Sequence, residues 1–148
     1  MILPDINLLL HAYNGDSPHH AGARRWWLEL MQGEGSVGLP WAVLLGFLRL
    51  STHPQVMPRP MAVGVATAHV RAWLAQAHVL VLEPGPRHAG ILLDLLDAIG
   101  TAGNLTTDAH LAALALEHQA ELHSTDADFA RFPGLRWRNP LAPATRRR

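Results

Sequence analysis

Four aspartates fall in three stretches of the chain, with no arginine beside any of them. Asp5 interrupts the apolar run "ILPDINLLL", with Asn7 two places on. Asp108 lies in "NLTTDAHLAALAL", and Asp126 and Asp128 lie in "HSTDADF". Carboxylates gathered in one place repel, so one must take up a proton or a divalent cation must sit between them. Oxygen ligands without cysteine favour Mg²⁺ or Mn²⁺ over zinc. Magnesium keeps several waters, so two or three carboxylates suffice, and an ion held this way activates water and stabilises the leaving oxygen of a phosphodiester. Each acid also has a plainer use. An aspartate after a strand is a common helix N-cap, worth ~1 kcal/mol, and it suits the positive end of the helix dipole. Asp128 reads equally well as a solvated first-turn residue. The cluster gains on the caps because several such acids fall at topologically adjacent places.

The surrounding elements decide whether these acids meet. Met1–Leu3 reads as a short buried strand and Asp5–Tyr13 as a helix, followed by the turn "NGD". Ser17 and Pro18 read as a cap and first helical position, opening a helix that stops near Gly33. Ser36–Leu39 is a strand and Trp41 to about Ser51 a helix; Pro54, Pro58 and Pro60 stiffen the connection to a helix over Met61–Ala77. His78–Leu82 reads as a buried strand, and Pro86 opens a helix ending near Gly100. Leu105 to about Gln119 is an alanine-rich helix, Glu121–Ser124 a strand, and Asp128–Phe132 a short helix; "PGLRWRNP" holds a last short strand. Strands alternating with helices predict an α/β fold with a parallel sheet of about four to five strands and helices on both faces. In such sheets ligands gather beyond the carboxyl ends of the strands. Asp5 follows the first strand, Asp126 and Asp128 follow the fourth, and Asp108 sits near the start of the helix feeding the fourth. If the first and fourth strands are neighbours, the acids converge.

Composition narrows the chemistry further. The chain has 148 residues, enough for one core, with 49% apolar and 16% charged residues. Twelve acids balance twelve basic residues, so any attraction for nucleic acid must be local. There is no cysteine, which removes disulfides, zinc ribbons and thiol catalysis. All twelve basic residues are arginine. That argues against phosphate-loop NTPases and Schiff-base chemistry, and weakens a phosphatase or receiver-like switch. No stretch is long and apolar enough to span a membrane and no signal peptide is visible, so the chain reads as soluble and cytoplasmic.

The sequence resembles the PIN-domain ribonucleases and, more narrowly, the VapC-type toxins of VapBC toxin–antitoxin pairs. "LPDINLLL" looks like the opening D-x-N signature, "GFLRLSTHP" like the segment after the second strand, "GNLTTDAHLAALALEHQAEL" like the helix of the third acid, and "HSTDADFARFPGLRWRNPL" like the closing signature. The resemblance implies a single PIN-like domain over residues 1–141 with a basic tail at 142–148. It implies a metal-dependent endoribonuclease using Mg²⁺ or Mn²⁺, with RNA as substrate, a VapB-type antitoxin as partner and a homodimer as the assembly. Carried over, Asp5, Asp108 and Asp126 match metal-binding acids, Asp128 assists in catalysis, and Asn7 and Thr125 match residues that orient the carboxylates. Many PIN domains carry a further acid on the helix after the second strand; Gly46 occupies that position here, and Glu29 and Glu34 lie on an earlier helix and its turn. That departure leaves room for a catalytically weak or inactive PIN-like module that binds RNA or protein.

The remaining features read mostly as structure. Trp26, Trp41 and Trp73 lie in apolar helices and belong to the core or an interface, while Trp137, between Arg136 and Arg138, is open. Arg24 and Arg25 read as solvent-facing, with RNA phosphate contact the lesser reading, and Arg49 fits a phosphate contact or an ion pair equally. His110 reads as an ordinary position despite its nearness to Asp108, and Asp94 and Asp97 as the wet side of their helix. The apolar Met61–Ala77 helix is a candidate dimer face or antitoxin groove.

Overall fold

The computed structural model describes residues 1–143. Five short strands, β1 (Ile2–Pro4), β2 (Val37–Pro40), β3 (Val79–Leu82), β4 (Glu121–His123) and β5 (Trp137–Arg138), form one sheet in the order β3-β2-β1-β4-β5. Every pairing is parallel, with Ile2 opposite both Val37 and Glu121. The strands are joined by α1 (Ile6–Tyr13), α2 (His20–Gln32), α3 (Trp41–Ser51), α4 (Val63–Leu74), α5 (His88–Ile99) and α6 (Thr106–Glu117). Two 3₁₀ turns lie at Gly103–Leu105 and Ala127–Arg131. Chain order moves from β1 to β2 to β3 in one direction, then crosses back to β4 and β5. Right-handed crossovers then place α1–α4 on one face and α5–α6 on the other. The contacts agree: α1 packs on α2 and α3, α3 on α4, and α5 on α6. The expected α/β architecture is present, with β1 at the centre and β4 as its neighbour.

Apolar spacing builds the core. Leu3 and Leu122 come from adjacent strands, Leu8, Leu9 and Phe47 from α1 and α3, and Leu111 and Leu114 from α6; all are fully enclosed. Ala112, Ala113 and Ala115 are also buried, and their small side chains let α6 sit close to its neighbours. Trp26, Trp27 and Trp73 are buried, and the Tyr13 hydroxyl accepts the indole N–H of both Trp27 (3.2 Å) and Trp73 (3.0 Å). Trp41 is the exception, 49% exposed on the outer side of α3 with Leu45 one turn on. Asp94 and Asp97 are exposed on α5, as the spacing predicted.

Several boundaries differ from the sequence reading for identifiable reasons. α2 starts at His20, not at Pro18. The Ser17 hydroxyl accepts the His19 N–H at 3.1 Å and pairs with His11 Nδ1 at 2.7 Å, holding Ser17–His19 as a turn ahead of the helix. α4 is shorter than Met61–Ala77: the Met61 N–H donates to Ser51 O, tying that residue back to the end of α3. β3 is not fully buried; it is an edge strand, and Leu80 and Val81 are exposed. α5 closes where expected, on Gly100 at φ 70°, a left-handed conformation glycine adopts without steric cost. The expected tail lies, from residue 144 onward, outside the described residues. Among the described residues no helix is long and apolar enough to cross a membrane.

Candidate functional site

Asp5 stands just past the end of β1, and the order of the strands puts it next to the end of β4. Its own N–H donates to His123 O at 2.8 Å, extending the β1–β4 ladder by one bond. It does act as the N-cap of α1: Oδ1 accepts the Ile6 N–H at 2.8 Å. The cap and the cluster are therefore not alternatives, because Oδ2 points elsewhere and accepts the Ser124 hydroxyl at 2.8 Å. Asp126, one residue beyond Thr125, caps the following 3₁₀ turn by accepting the Asp128 N–H on Oδ1 at 2.9 Å. Asp108 lies in the first turn of α6.

The acids lie close enough to perturb one another. Asp5 is 8% exposed, and burial raises its pKa; the hydrogen bonds from Ser124 and Ile6 offset part of this, and the Asp126 charge adds to it. Asp108 is pushed up to about 6, first by burial and then by the negative charges of Asp5, Asp126 and Asp128. Four acids from three separate stretches thus share one region, and none has a cationic partner among the described residues. Among those residues no three His, Asp or Glu side chains already form a coordination cage. The carboxylates stand within electrostatic reach of one another.

Ser124 is the residue that sequence reasoning missed. Its hydroxyl donates to Asp5 and accepts the Asp126 N–H at 3.0 Å and the Asn7 Nδ2 at 3.4 Å. Asn7 therefore reaches the acids through Ser124, and its own Oδ1 is buried without a partner. The hydrogen bond to Asp5 comes from Ser124, the neighbour of Thr125. Thr125 sits at a bend past the end of β4 and makes no side-chain hydrogen bond among the described residues, whereas the Ser124 hydroxyl reaches Asp5. Ser124→Ala is expected to lower stability by about 1–2 kcal/mol in a denaturant titration, because it leaves buried partners unmatched. Ser124→Thr keeps the hydroxyl and should recover most of that loss.

The remaining candidates are placed as follows. Gly46 is buried in α3 directly beneath Ile6: a Cβ there would overlap the Ile6 Cδ1 and lie 3.0 Å from Cγ1. Ile6 fills the space that a side chain at position 46 would need. His110 turns away from the acids and pairs with His88 across α5 and α6, Nδ1 to Nε2 at 3.0 Å. Trp137 is half-buried and its indole N–H donates to Ser124 O at 3.1 Å, a structural tie beneath the site. Arg49 is exposed and forms no ion pair among the described residues.

Known proteins resemble this chain along nearly its whole length. The PIN domain family model matches residues 2–135. Ribonuclease VapC33 of Mycobacterium tuberculosis is 49% identical over 141 residues, covering 95% of this chain and 99% of that protein. Two solved structures show the same fold at low identity. VapC20 of Mycobacterium tuberculosis, described as a sarcin–ricin loop cleaving toxin, matches with a TM-score of 0.66 and 19% identity, covering 92% of this chain and 99% of that one. VapBC2 from Rickettsia felis, bound to a DNA fragment from its promoter, matches with a TM-score of 0.65 and 17% identity, covering 94% and 98%. A parallel sheet that gathers carboxylates at the ends of β1 and β4, matched along nearly its whole length, places this chain in the PIN-domain family, among the VapC ribonucleases.

Proposed function

We propose that the chain is the toxin of a type II toxin–antitoxin pair, an endoribonuclease that hydrolyses RNA with Mg²⁺ or Mn²⁺ held by Asp5, Asp108 and Asp126, with Asp128 assisting. One observation carries the reading: four carboxylates share the carboxyl edge of the sheet without a cationic partner among the described residues, and two are pushed toward the protonated form. The donor set fits a hard dication, being all oxygen and lacking cysteine. When bound, such an ion supplies a polarised water for attack on phosphorus and offsets charge on the leaving oxygen.

The chain's own groups prepare the site. Ile6 N–H and the Ser124 hydroxyl hold the two oxygens of Asp5, fixing the plane of the carboxylate. The Asp128 N–H occupies one oxygen of Asp126 and leaves the other open. Asp108 is pushed up to about 6 by burial and the neighbouring acids, which favours its neutral form in mild acid. Water attack with departure of the 3′ oxygen leaves 5′-phosphate and 3′-hydroxyl ends. Purified chain incubated with RNA should give product with Mg²⁺ or Mn²⁺ and none after EDTA. The rival is a PIN-like binding module, favoured by Gly46 in place of a carboxylate. Stable RNA binding with no product under any metal would decide for it.

The partner is a VapB-type antitoxin, in keeping with the structural match to VapBC2 from Rickettsia felis. Self-association runs through the outer face of α3, where Trp41 and Leu45 stand exposed one turn apart. α4 also exposes Val63 and Val65, while its Ala66, Val70 and Trp73 pack into the core. Light scattering should give a dimer for the natural chain and a monomer for Trp41→Glu/Leu45→Glu. A natural chain that runs as a monomer would remove this face from consideration.

A further inference from the structure

An acidic centre repels the phosphates it must act on, and the chain as a whole carries no net charge. Attraction for RNA then has to come from a local arrangement of arginines beside the site. A groove of about 520 Å³ lies between α2 and the segment that follows β5. Volumes of this order accommodate small ligands. Arg25 projects from the α2 wall and Arg138 from the opposite wall, where Pro140 and Leu141 add an apolar surface. Both arginines are exposed, and among the described residues neither has a carboxylate within ion-pair distance. Glu29 also lines the groove, so the arginines still outnumber the acid there.

None of the four acids lines the groove, but its floor shares a residue of β4, His123, with the main chain that holds Asp5. The Trp26 indole N–H donates to His123 Nδ1 at 3.0 Å. That leaves the imidazole proton on Nε2, which donates to Glu121 Oε1 at 2.7 Å. The ring is therefore a neutral, fixed wedge. Its backbone carbonyl holds Asp5 by the N–H, and the Arg138 carbonyl holds the N–H of Ser124 at 3.1 Å. One residue of β4 thus has its side chain in the groove and its main chain against Asp5.

We propose that this groove seats the RNA strand next to the scissile bond, with Arg25 and Arg138 clasping a backbone phosphate and Pro140 and Leu141 receiving the adjoining sugar and base. The proposal rests on the ribonuclease reading above. Guanidinium suits the task because its planar donors meet phosphate oxygens in pairs.

The test separates binding from cutting. In metal-supported cleavage of a single-stranded RNA, Arg25→Ala/Arg138→Ala should raise KM about tenfold or more with kcat within about twofold, as loss of phosphate contacts does. In an Asp5→Asn background, fluorescence titration of the same RNA should show matching loss of affinity, with the salt slope reduced by about two. Arg71→Ala, on α4, should leave KM and affinity unchanged. Equal KM and equal RNA affinity in the double variant, while the natural chain still cuts RNA, would overturn the groove and leave the ribonuclease reading standing. Loss of antitoxin affinity with no change toward RNA would overturn it also and assign the groove to a protein partner. A natural chain that neither binds nor cuts RNA with metal would remove both.

Discussion

Asp5→Asn is expected to lower kcat for RNA cleavage at least about a hundredfold, the scale on which loss of one group stabilising developing charge is felt. The same variant should fold as well as the natural chain. Its side-chain oxygen can still accept the Ile6 N–H and so keep the start of α1. Its amide nitrogen would face the Ser124 hydroxyl, whose lone pairs already accept from Asp126 and Asn7, so that one bond is given up and relief of the buried charge must offset it. Burying a neutral amide is also less costly than burying a carboxylate, and Asp5 is almost wholly enclosed with its pKa raised. The melting temperature at pH 7.5 should therefore be unchanged or higher while activity collapses. Asp108→Asn should behave similarly. Asp128→Asn should lose less than about tenfold, because the firm contact of that residue with Asp126 is through its backbone N–H and its side chain is exposed. An Asp5→Asn protein that keeps more than about a tenth of the natural rate would detach Asp5 from the chemistry.

The acids were legible in the sequence because their spacing against strand ends is a matter of local pattern. Asp5, Asp108 and Asp126 each sit at a junction of apolar runs, and a parallel sheet has only one edge where such junctions collect. What the pattern could not supply was register. Ser124 and Thr125 carry the same functional group, and only the pairing of Pro4 with His123 decides which hydroxyl meets Asp5. The Trp26–His123 bond joins residues 97 apart, and no local signal announces it. Strand order hid the edge character of β3, whose "VLVL" reads as buried and is half exposed because only β2 flanks it. The start of α2 was misplaced since Ser-Pro is a sound cap pattern. The competing bond from the Ser17 hydroxyl to His11 depends on how α1 and α2 fold back on each other. The steric meaning of Gly46, a floor for Ile6, needed the contact between α1 and α3.

Stability of the metal-free chain should report the charge repulsion directly. Asp108 has its folded pKa raised from 3.8 to about 6, so the folded chain binds more protons than the unfolded chain between those values. The stability this contributes is fully present below about pH 4 and is lost as pH rises through about 6. Asp5 shifts in the same direction. His123 works the other way: burial lowers its pKa, so its contribution is lost as pH falls through its unfolded value. Comparing the natural chain with Asp5→Asn/Asp108→Asn cancels the histidine and isolates the acids. The variant should gain on the natural chain in thermal melts between pH 4 and pH 7, both in EDTA. Magnesium should reverse the order at neutral pH, since it binds the folded, deprotonated cluster. At about a hundred times its Kd, Mg²⁺ should raise the natural melting temperature by roughly 5–10 °C at pH 7.5. At pH 5, where Asp108 holds its proton, the rise should be less than half as large, and the double variant should show none at either pH. An equal rise at both pH values, or one that persists in the double variant, would mean that the cation binds somewhere other than between these carboxylates.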